Sequence, residues 1–309
     1  MKHVSIVILT KNAGSDFQDT LEAVCAQKYP GGFDVIIVDS GSTDNTLDIA
    51  RIHPAKVHQI KPEDFGHGKT RNFAAGLTSG DYIVFLTQDA VPAGDGWLSN
   101  LIRNFTDSAV AGVYGRQVAR KGTKPMESFF LNTMYPLYKM TKSAEQGEVD
   151  MNAIFFSDAN SAIRREVWEK YPFDDSLIMS EDQEWAKRVL LAGGKIIYDP
   201  EATVYHSHNY SLKTVFQRYF DSGVSLNQFA GNEYGRFASK GITYARSEMK
   251  FLVTNGYTKW LPYAVLYDFA KFFGMSLGRK EKYLPVAVKR RLSLHSHYLD
   301  QAKNSTKSV

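Results

Sequence analysis

Short apolar runs separated by amphipathic stretches mark the first half of the chain. Residues 4–9, Val4-Ser5-Ile6-Val7-Ile8-Leu9, form an apolar-rich run of strand length that ends in the turn Thr10-Lys11-Asn12-Ala13-Gly14. Phe17, Leu21, Val24 and Cys25 then recur at helical spacing, which predicts a helix over about 16–28 that Pro30-Gly31-Gly32 breaks. A second strand over 35–38 ends in Asp39-Ser40-Gly41-Ser42-Thr43-Asp44, where Thr43 or Asp44 can cap a helix over about 45–52. A short strand near 57–60, a helix over 73–77 and a strand over 82–86 follow. Strands alternating with crossover helices predict an α/β fold with a parallel, doubly wound sheet.

Beyond Pro92 the alternation loosens. The pattern predicts a helix over 97–105, a strand over 110–114, an aromatic-rich helix or loop over 126–140, a short strand over 157–163 and a helix over 165–171. Ser180 reads as the cap of a helix that runs to Leu191, and a strand over 195–198 follows. From Leu212 onward the chain reads as helical, so a boundary is drawn near residue 210. Residues 301–309 are expected to be disordered.

In open parallel sheets, ligands bind beyond the carboxyl ends of the strands. Asp89 stands just past the strand over 82–86, and Pro92 forbids its continuation. Such a carboxylate can hold a divalent cation, and the cation a diphosphate; an ordinary turn aspartate is the alternative. Asp39, at the end of the second strand, can accept a base N–H or a ribose hydroxyl, or close a local Asx turn. Gly66-His67-Gly68-Lys69-Thr70-Arg71-Asn72 sets two glycines and two cations at a helix start, a combination that suits phosphate or simply a solvated basic turn. It lacks the spacing of a P-loop. Glu181-Asp182 at a helix start can be a general base with its support, or acids drawn to the positive helix end. His206 and His208, two apart in an extended segment, can share one side and bind a metal, or lie on the surface.

Composition narrows the class. The 309 residues allow one large domain or two modest ones, and the single cysteine, Cys25, excludes a disulfide framework. The N-terminus enters a strand without the apolar core of a signal peptide, and no apolar run reaches the roughly 18 residues that span a bilayer. A cytoplasmic location is expected, with peripheral contact at the inner face of the membrane. The net charge of +4 conceals an asymmetry: 13 Lys/Arg against 4 Asp/Glu from Lys240 onward, leaving 24 against 29 before it. Within residues 211–309, Phe216, Tyr219, Phe220, Trp260, Tyr263, Tyr267, Phe269, Phe272 and Phe273 are interleaved with Lys271, Arg279, Lys280, Lys282, Lys289, Arg290 and Arg291. A basic, aromatic helical region suits an anionic membrane surface; a helical appendage or an oligomer interface is the alternative. No nucleic-acid motif accompanies the charge, so nucleic acid is not an expected partner. The first strand also lacks the Gly-x-Gly-x-x-Gly turn of a dinucleotide-binding dehydrogenase.

Taken in order, the segments 6–12, 36–44, Arg71-Asn72, 80–89, Glu181-Asp182 and Tyr205-His206 resemble glycosyltransferase family 2, inverting sugar transferases of the GT-A fold. The likeness covers about residues 3–210. Within it, residues 65–72, 86–92 and 180–182 look like bacterial rhamnosyltransferases. The resemblance implies a Rossmann-like, mostly parallel central sheet flanked by helices. A catalytic domain would span 1–210, with a nucleotide-binding half (about 1–92) and an acceptor half (about 93–210). A helical, basic extension would occupy 211–309.

The resemblance also implies roles. Thr10, Asn12, Asp39, Ser40 and Gln88 would hold the nucleotide, with Lys69 and Arg71 near the base or diphosphate. Asp89 would bind Mg²⁺ or Mn²⁺, with His206, or alternatively His208, completing the shell. Asp182 would deprotonate the acceptor, and Glu181 would position it or touch the acceptor. Thr87 departs from the family's Asp-x-Asp, since a hydroxyl cannot replace a charged ligand, and this implies weaker metal binding. The implied reaction is a single displacement that moves L-rhamnose from dTDP-β-L-rhamnose to a hydroxyl of a bacterial surface glycan or its lipid-linked precursor. Another donor such as a UDP-hexose is the alternative, as is a sugar-nucleotide-binding protein without catalysis. Retention of both Asp89 and Asp182 speaks against the last.

Overall fold

In a computed structural model, residues 2–144, 147–229, 234–296 and 298 are described; the segment 301–309 lies outside them. The chain divides into two compact units. The first comprises Met1–Lys121, Leu131–Asp175 and Glu181–Ser207, and the second Gly122–Phe130, Ser176–Ser180 and His208–Val309.

The first unit carries β1 (Val4–Thr10), α1 (Asp16–Cys25), β2 (Phe33–Asp39), α2 (Thr46–Arg51), β3 (Ala55–Gln59), α3 (His67–Gly76) and β4 (Tyr82–Thr87). Then come β5 (Val91–Pro92), α4 (Trp97–Ile102) and β6 (Val110–Val118). After α5 (Pro125–Met134), which the division crosses, follow β7 (Met140–Lys142), β8 (Asn160–Arg164), α6 (Arg165–Lys170), α7 (Glu181–Leu191) and β9 (Lys195–Tyr205). The strand order is β3-β2-β1-β4-β8-β6-β9-β5, with β7 on β9.

The predicted doubly wound half is present. β2 and β4 flank β1 in parallel, so the order reverses at β1 and opens a crevice at the carboxyl edge. The rest of the sheet is mixed. β8 runs antiparallel to both β4 and β6, because the long excursion after β4 replaces the single crossover helix that enforces parallel pairing. Strands covered on both faces read as continuous apolar runs. Ile6, Ile8, Val35, Ile37, Val84 and Leu86 accordingly pack into one core with Phe17, Leu21 and Trp97.

The start of α3 and the length of β9 differ from the pattern. α3 begins at His67, well before Phe73, because Gly68 lets the first turn press on the 173–175 segment; a Cβ there would stand 2.5 Å from Asp174 O. β9 continues through Pro200 to Tyr205, where a register shift against Gly115–Gln117 absorbs the proline.

The second unit contains α8 (Leu212–Phe229), α9 (Tyr234–Thr254), α10 (Leu261–Arg279) and α11 (Val286–Leu292). α10 lies closely along α8: a Cβ on Gly274 would strike Phe216 O, and one on Gly278 would strike Phe220 O. Val215, Leu252, Ala264 and Tyr267 form one buried cluster with Met126; Phe220 and Val224 form another with Ile178 and Tyr298. Among the described residues, no helix is long and apolar enough to cross a membrane.

Candidate active site

Strand register assembles the carboxyl edge. Thr10 pairs with Asp39 and Leu9 with Thr87, so the loops after β1, β2 and β4 emerge side by side. Asp39 is fully buried. Its Oδ1 accepts from the N–H groups of Gly41 (3.0 Å) and Ser42 (2.9 Å), and its Oδ2 from the hydroxyls of Thr10 (3.1 Å) and Ser42 (2.5 Å). A carboxylate offers about four acceptor sites, and these donors take them. Asn12 sits at φ 46°, a left-handed conformation that asparagine tolerates. Its Oδ1 accepts from Thr43 N–H at 2.8 Å and its N–H donates to Ser42 Oγ at 2.8 Å. Ser40 Oγ donates to Thr10 O at 3.1 Å, and Gln88 Oε1 accepts from Lys11 N–H at 2.8 Å. The structure therefore brings Thr10, Asn12, Asp39, Ser40 and Gln88 together in one stitched group of loops. Lys69, itself exposed on the first turn of α3, instead extends toward Asp64, 3.5 Å away.

A second cluster forms where β5 pairs antiparallel with β9. Val91 lies opposite Tyr205, which carries Asp89 to the end of β9 and its next residue, His206. His206 Nε2 is 3.4 Å from Asp89 Oδ1. On the other side of the ring, Nδ1 is 2.7 Å from Gln117 Oε1. Gln117 Nε2 donates to Tyr135 Oη (2.6 Å) and Ser157 Oγ (3.0 Å), so Oε1 is the acceptor end of the amide. Nδ1–H therefore donates to Gln117, and this fixes the ring with Nε2 facing the Asp89 carboxylate. A carboxylate oxygen and an imidazole nitrogen this close can share a cation. The adjacent Thr87 Oγ1 is buried without a hydrogen-bond partner. One carboxylate oxygen and one imidazole suit Mn²⁺ or Mg²⁺, so the donor set fits such an ion. Arg120 donates to Asp89 O and to Asp16 Oδ2 (3.1 Å), adding a fixed cation to this edge. His208 opens the second unit and stacks on Tyr210, ring centroids 4.6 Å apart.

The third cluster joins α3, the lead-in to β8 and α7. Arg71 Nη1 donates to Glu181 Oε1 at 2.5 Å, and its Nε lies 3.4 Å from Asp158 Oδ2. Arg71, Asp158 and Glu181 are buried. Asp182, beside them, accepts from the N–H groups of Gln183 (2.8 Å) and Asp158 (3.3 Å). One guanidinium thus faces three carboxyl groups. Burial pushes Asp182 well above the ordinary carboxylate range; Glu181 and Asp158 add to the shift, and Arg71 opposes it. Burial also pushes Asp158 up to about 6 against the pull of Arg71 and Ser161. Ser180 enters α7 at φ 63°, a left-handed conformation costly for a residue other than glycine, so the turn that presents the acid pair is itself constrained.

Gln117, Arg120 and Asp158 escape a reading of the sequence alone. Each is a single polar residue at a strand end, and only the pairing of β6, β8 and β9 brings it to the edge. The one local signal was the polar break Ser157-Asp158 before a buried strand.

The profile described as Glycosyl transferase family 2 matches residues 5–171. The chain is 36% identical to the O-antigen chain rhamnosyltransferase RfbN of Salmonella typhimurium over 98% of both chains. It is 34% identical to the O-antigen chain rhamnosyltransferase WbaN of Salmonella anatum over 99% of this chain and 98% of that one. Among solved structures, the mannosyltransferase PcManGT from Pyrobaculum calidifontis, in complex with GDP-Man and Mn²⁺, aligns with a TM-score of 0.57 at 18% identity, covering 99% of this chain and 80% of that one. TarS 1-349 of S. aureus in complex with UDP-GlcNAc aligns at 0.54 and 15% identity over 91% of each. At these identities the structural likeness concerns the fold, which is that of the GT-A glycosyltransferases.

Proposed function

Because the chain belongs to glycosyl transferase family 2, we propose that this glycosyltransferase moves L-rhamnose from dTDP-β-L-rhamnose to a hydroxyl of a bacterial surface glycan on a lipid-linked carrier. The observation that carries the donor is the near-full-length likeness to two O-antigen chain rhamnosyltransferases. The observation that carries the chemistry is the buried acid cluster at the sheet's carboxyl edge.

In this reading Thr10, Asn12, Asp39, Ser40 and Gln88 build the nucleotide site. Asp39 meets a base N–H as the Ser42 hydroxyl rotates away from it, and the exposed Lys69 reaches the diphosphate. Asp182 takes the proton of the acceptor hydroxyl as the hydroxyl attacks the anomeric carbon from the face opposite the diphosphate. A single displacement inverts that centre, so a β donor yields an α-linked product. Glu181 and Asp158, tied to each other through Arg71, hold Asp182 in place. Asp89 and His206 would hold Mg²⁺ or Mn²⁺, with His208 two residues along the chain as a further candidate ligand; when bound, the ion neutralises charge on the departing diphosphate. Arg120 anchors the Asp89 backbone.

A donor screen tests the assignment. Purified protein is titrated calorimetrically with dTDP-rhamnose, UDP-glucose, UDP-galactose and GDP-mannose in Mg²⁺ or Mn²⁺, and donor hydrolysis is followed by nucleoside diphosphate release. Preference for dTDP-rhamnose is expected; preference for a UDP-sugar would discard the rhamnosyl assignment and keep the mechanism. For the metal shell, Gln117→Leu frees the His206 ring from its orienting partner. It is expected to weaken Mn²⁺ binding by about 10–100-fold, read by calorimetry in the presence of dTDP. Unchanged affinity would show that Gln117 does not orient a metal ligand.

A further inference from the structure

A helix at a protein surface normally turns its polar side to water. α10 does the reverse. Gly274, Ala264, Tyr267 and Gly278 are buried, and the glycines bring this side against α8. Val265, Leu266, Phe269, Phe272 and Phe273 face outward, the three phenylalanines 54%, 58% and 50% exposed. At 3.6 residues per turn these five fall within an arc of about 120° on the side opposite the glycines. Phe269 and Phe273 stack on one another at 5.8 Å, so the stripe is continuous along the helix. Lys280, the exposed C-cap of α10, falls in the same arc, and exposed Lys282, Arg290 and Arg291 follow it.

We propose that the outer face of α10 lies on an anionic lipid surface, with its phenylalanines in the acyl boundary and Lys280 and Lys282 at the headgroups. Apolar insertion joined to basic residues is the combination that anionic bilayers reward. The charge balance from Lys240 onward, 13 Lys/Arg against 4 Asp/Glu, complements such a surface. A second copy of the chain fits less well: the first turn of α10 holds no acidic residue, so an antiparallel two-fold contact would cover the phenylalanines and leave the basic end without an anionic partner. The inference deepens the proposal of a lipid-linked acceptor and rests on it for its purpose alone.

The test is co-sedimentation of the full chain with vesicles of phosphatidylcholine alone or mixed with phosphatidylglycerol. The wild type is expected to bind the mixed vesicles and to be released by salt. The triple variant Phe269→Ser, Phe272→Ser, Phe273→Ser is expected to lose that binding. Reversing two headgroup charges with Lys280→Glu and Lys282→Glu is expected to weaken it by about thirtyfold or more. All of these positions are exposed, so donor binding measured without vesicles should match wild type and report an intact fold. Wild-type protein that ignores mixed vesicles, or a serine variant that binds them normally, would overturn the proposal. So would a dimer in sedimentation velocity that the serine variant breaks while vesicles have no effect, which would make the stripe a self-association face. None of these failures touches donor preference, and a wrong donor would not alter vesicle binding.

Discussion

Asp182→Asn is expected to lower turnover by about 10²–10⁴-fold, the usual contribution of a positioned base, while dTDP and donor binding stay at wild-type strength. Asparagine keeps the shape, but its single amide oxygen can accept from only one of the Gln183 and Asp158 N–H groups, which reach different carboxylate oxygens, and it cannot take a proton. The wild-type rate carries a further signature. A base works only when deprotonated, and burial beside Glu181 and Asp158 holds the Asp182 proton to higher pH than an ordinary aspartate would. The rate should therefore climb with pH along a limb displaced above the normal carboxylate range, and that limb should be absent from the residual activity of the asparagine variant. Near-wild-type turnover would remove Asp182 as the base. A limb that survives the substitution would assign the titration to another group.

Arg71→Met is expected to cost about 3–5 kcal/mol in urea unfolding, the typical penalty for removing one partner from a buried ion pair. Methionine replaces much of the volume, so the loss is chiefly that of the cation facing Glu181 and Asp158. The pH dependence separates this from a packing defect. In the folded wild type Asp158 holds its proton up to about 6 and Asp182 is also raised. Their contribution to stability is complete below about pH 4, where the unfolded carboxyls are protonated too, and is lost as pH rises through the folded values. Arg71 restrains that loss by pulling both values down. Without it the loss deepens, so the variant's deficit should be largest at neutral pH and shrink toward pH 4. A deficit that stays constant with pH would mean that Arg71 acts through packing alone.

These residues also mark what a sequence can and cannot express. The β1-α1-β2-α2-β3-α3-β4 succession was legible because each buried strand is a local apolar run and each crossover helix a local period. Asp39, Asp89, Glu181 and Asp182 were legible as candidates because each stands at or just past the end of such a strand or at the start of such a helix. The antiparallel insertion of β8 was not, since strand direction after a long excursion depends on which edge is vacant. Gln117 was invisible for a related reason. Its place beside His206 depends on the parallel pairing of β6 with β9, residues separated by almost ninety positions in sequence. Arg71 shows a subtler gap. Its company in the motif suggests phosphate, whereas in the fold its guanidinium is occupied by Glu181 and Asp158. Charge alone did not say which anion the residue would meet first.

The stitched loops after β1 and β2 bear on the entropy of recognition. Fixing the backbone of one residue costs about 1–2 kcal/mol, and a loop that orders only around its ligand deducts that cost from affinity. Here Asn12, Ser42, Thr43 and Asp39 already hold one another, so the ordering cost is met when the chain folds. If the nucleotide binds at this edge as proposed, it would meet a preformed surface, and its contacts would appear in the affinity nearly undiminished. That economy would suit a site that sets Thr87 where the Asp-x-Asp pattern sets a carboxylate.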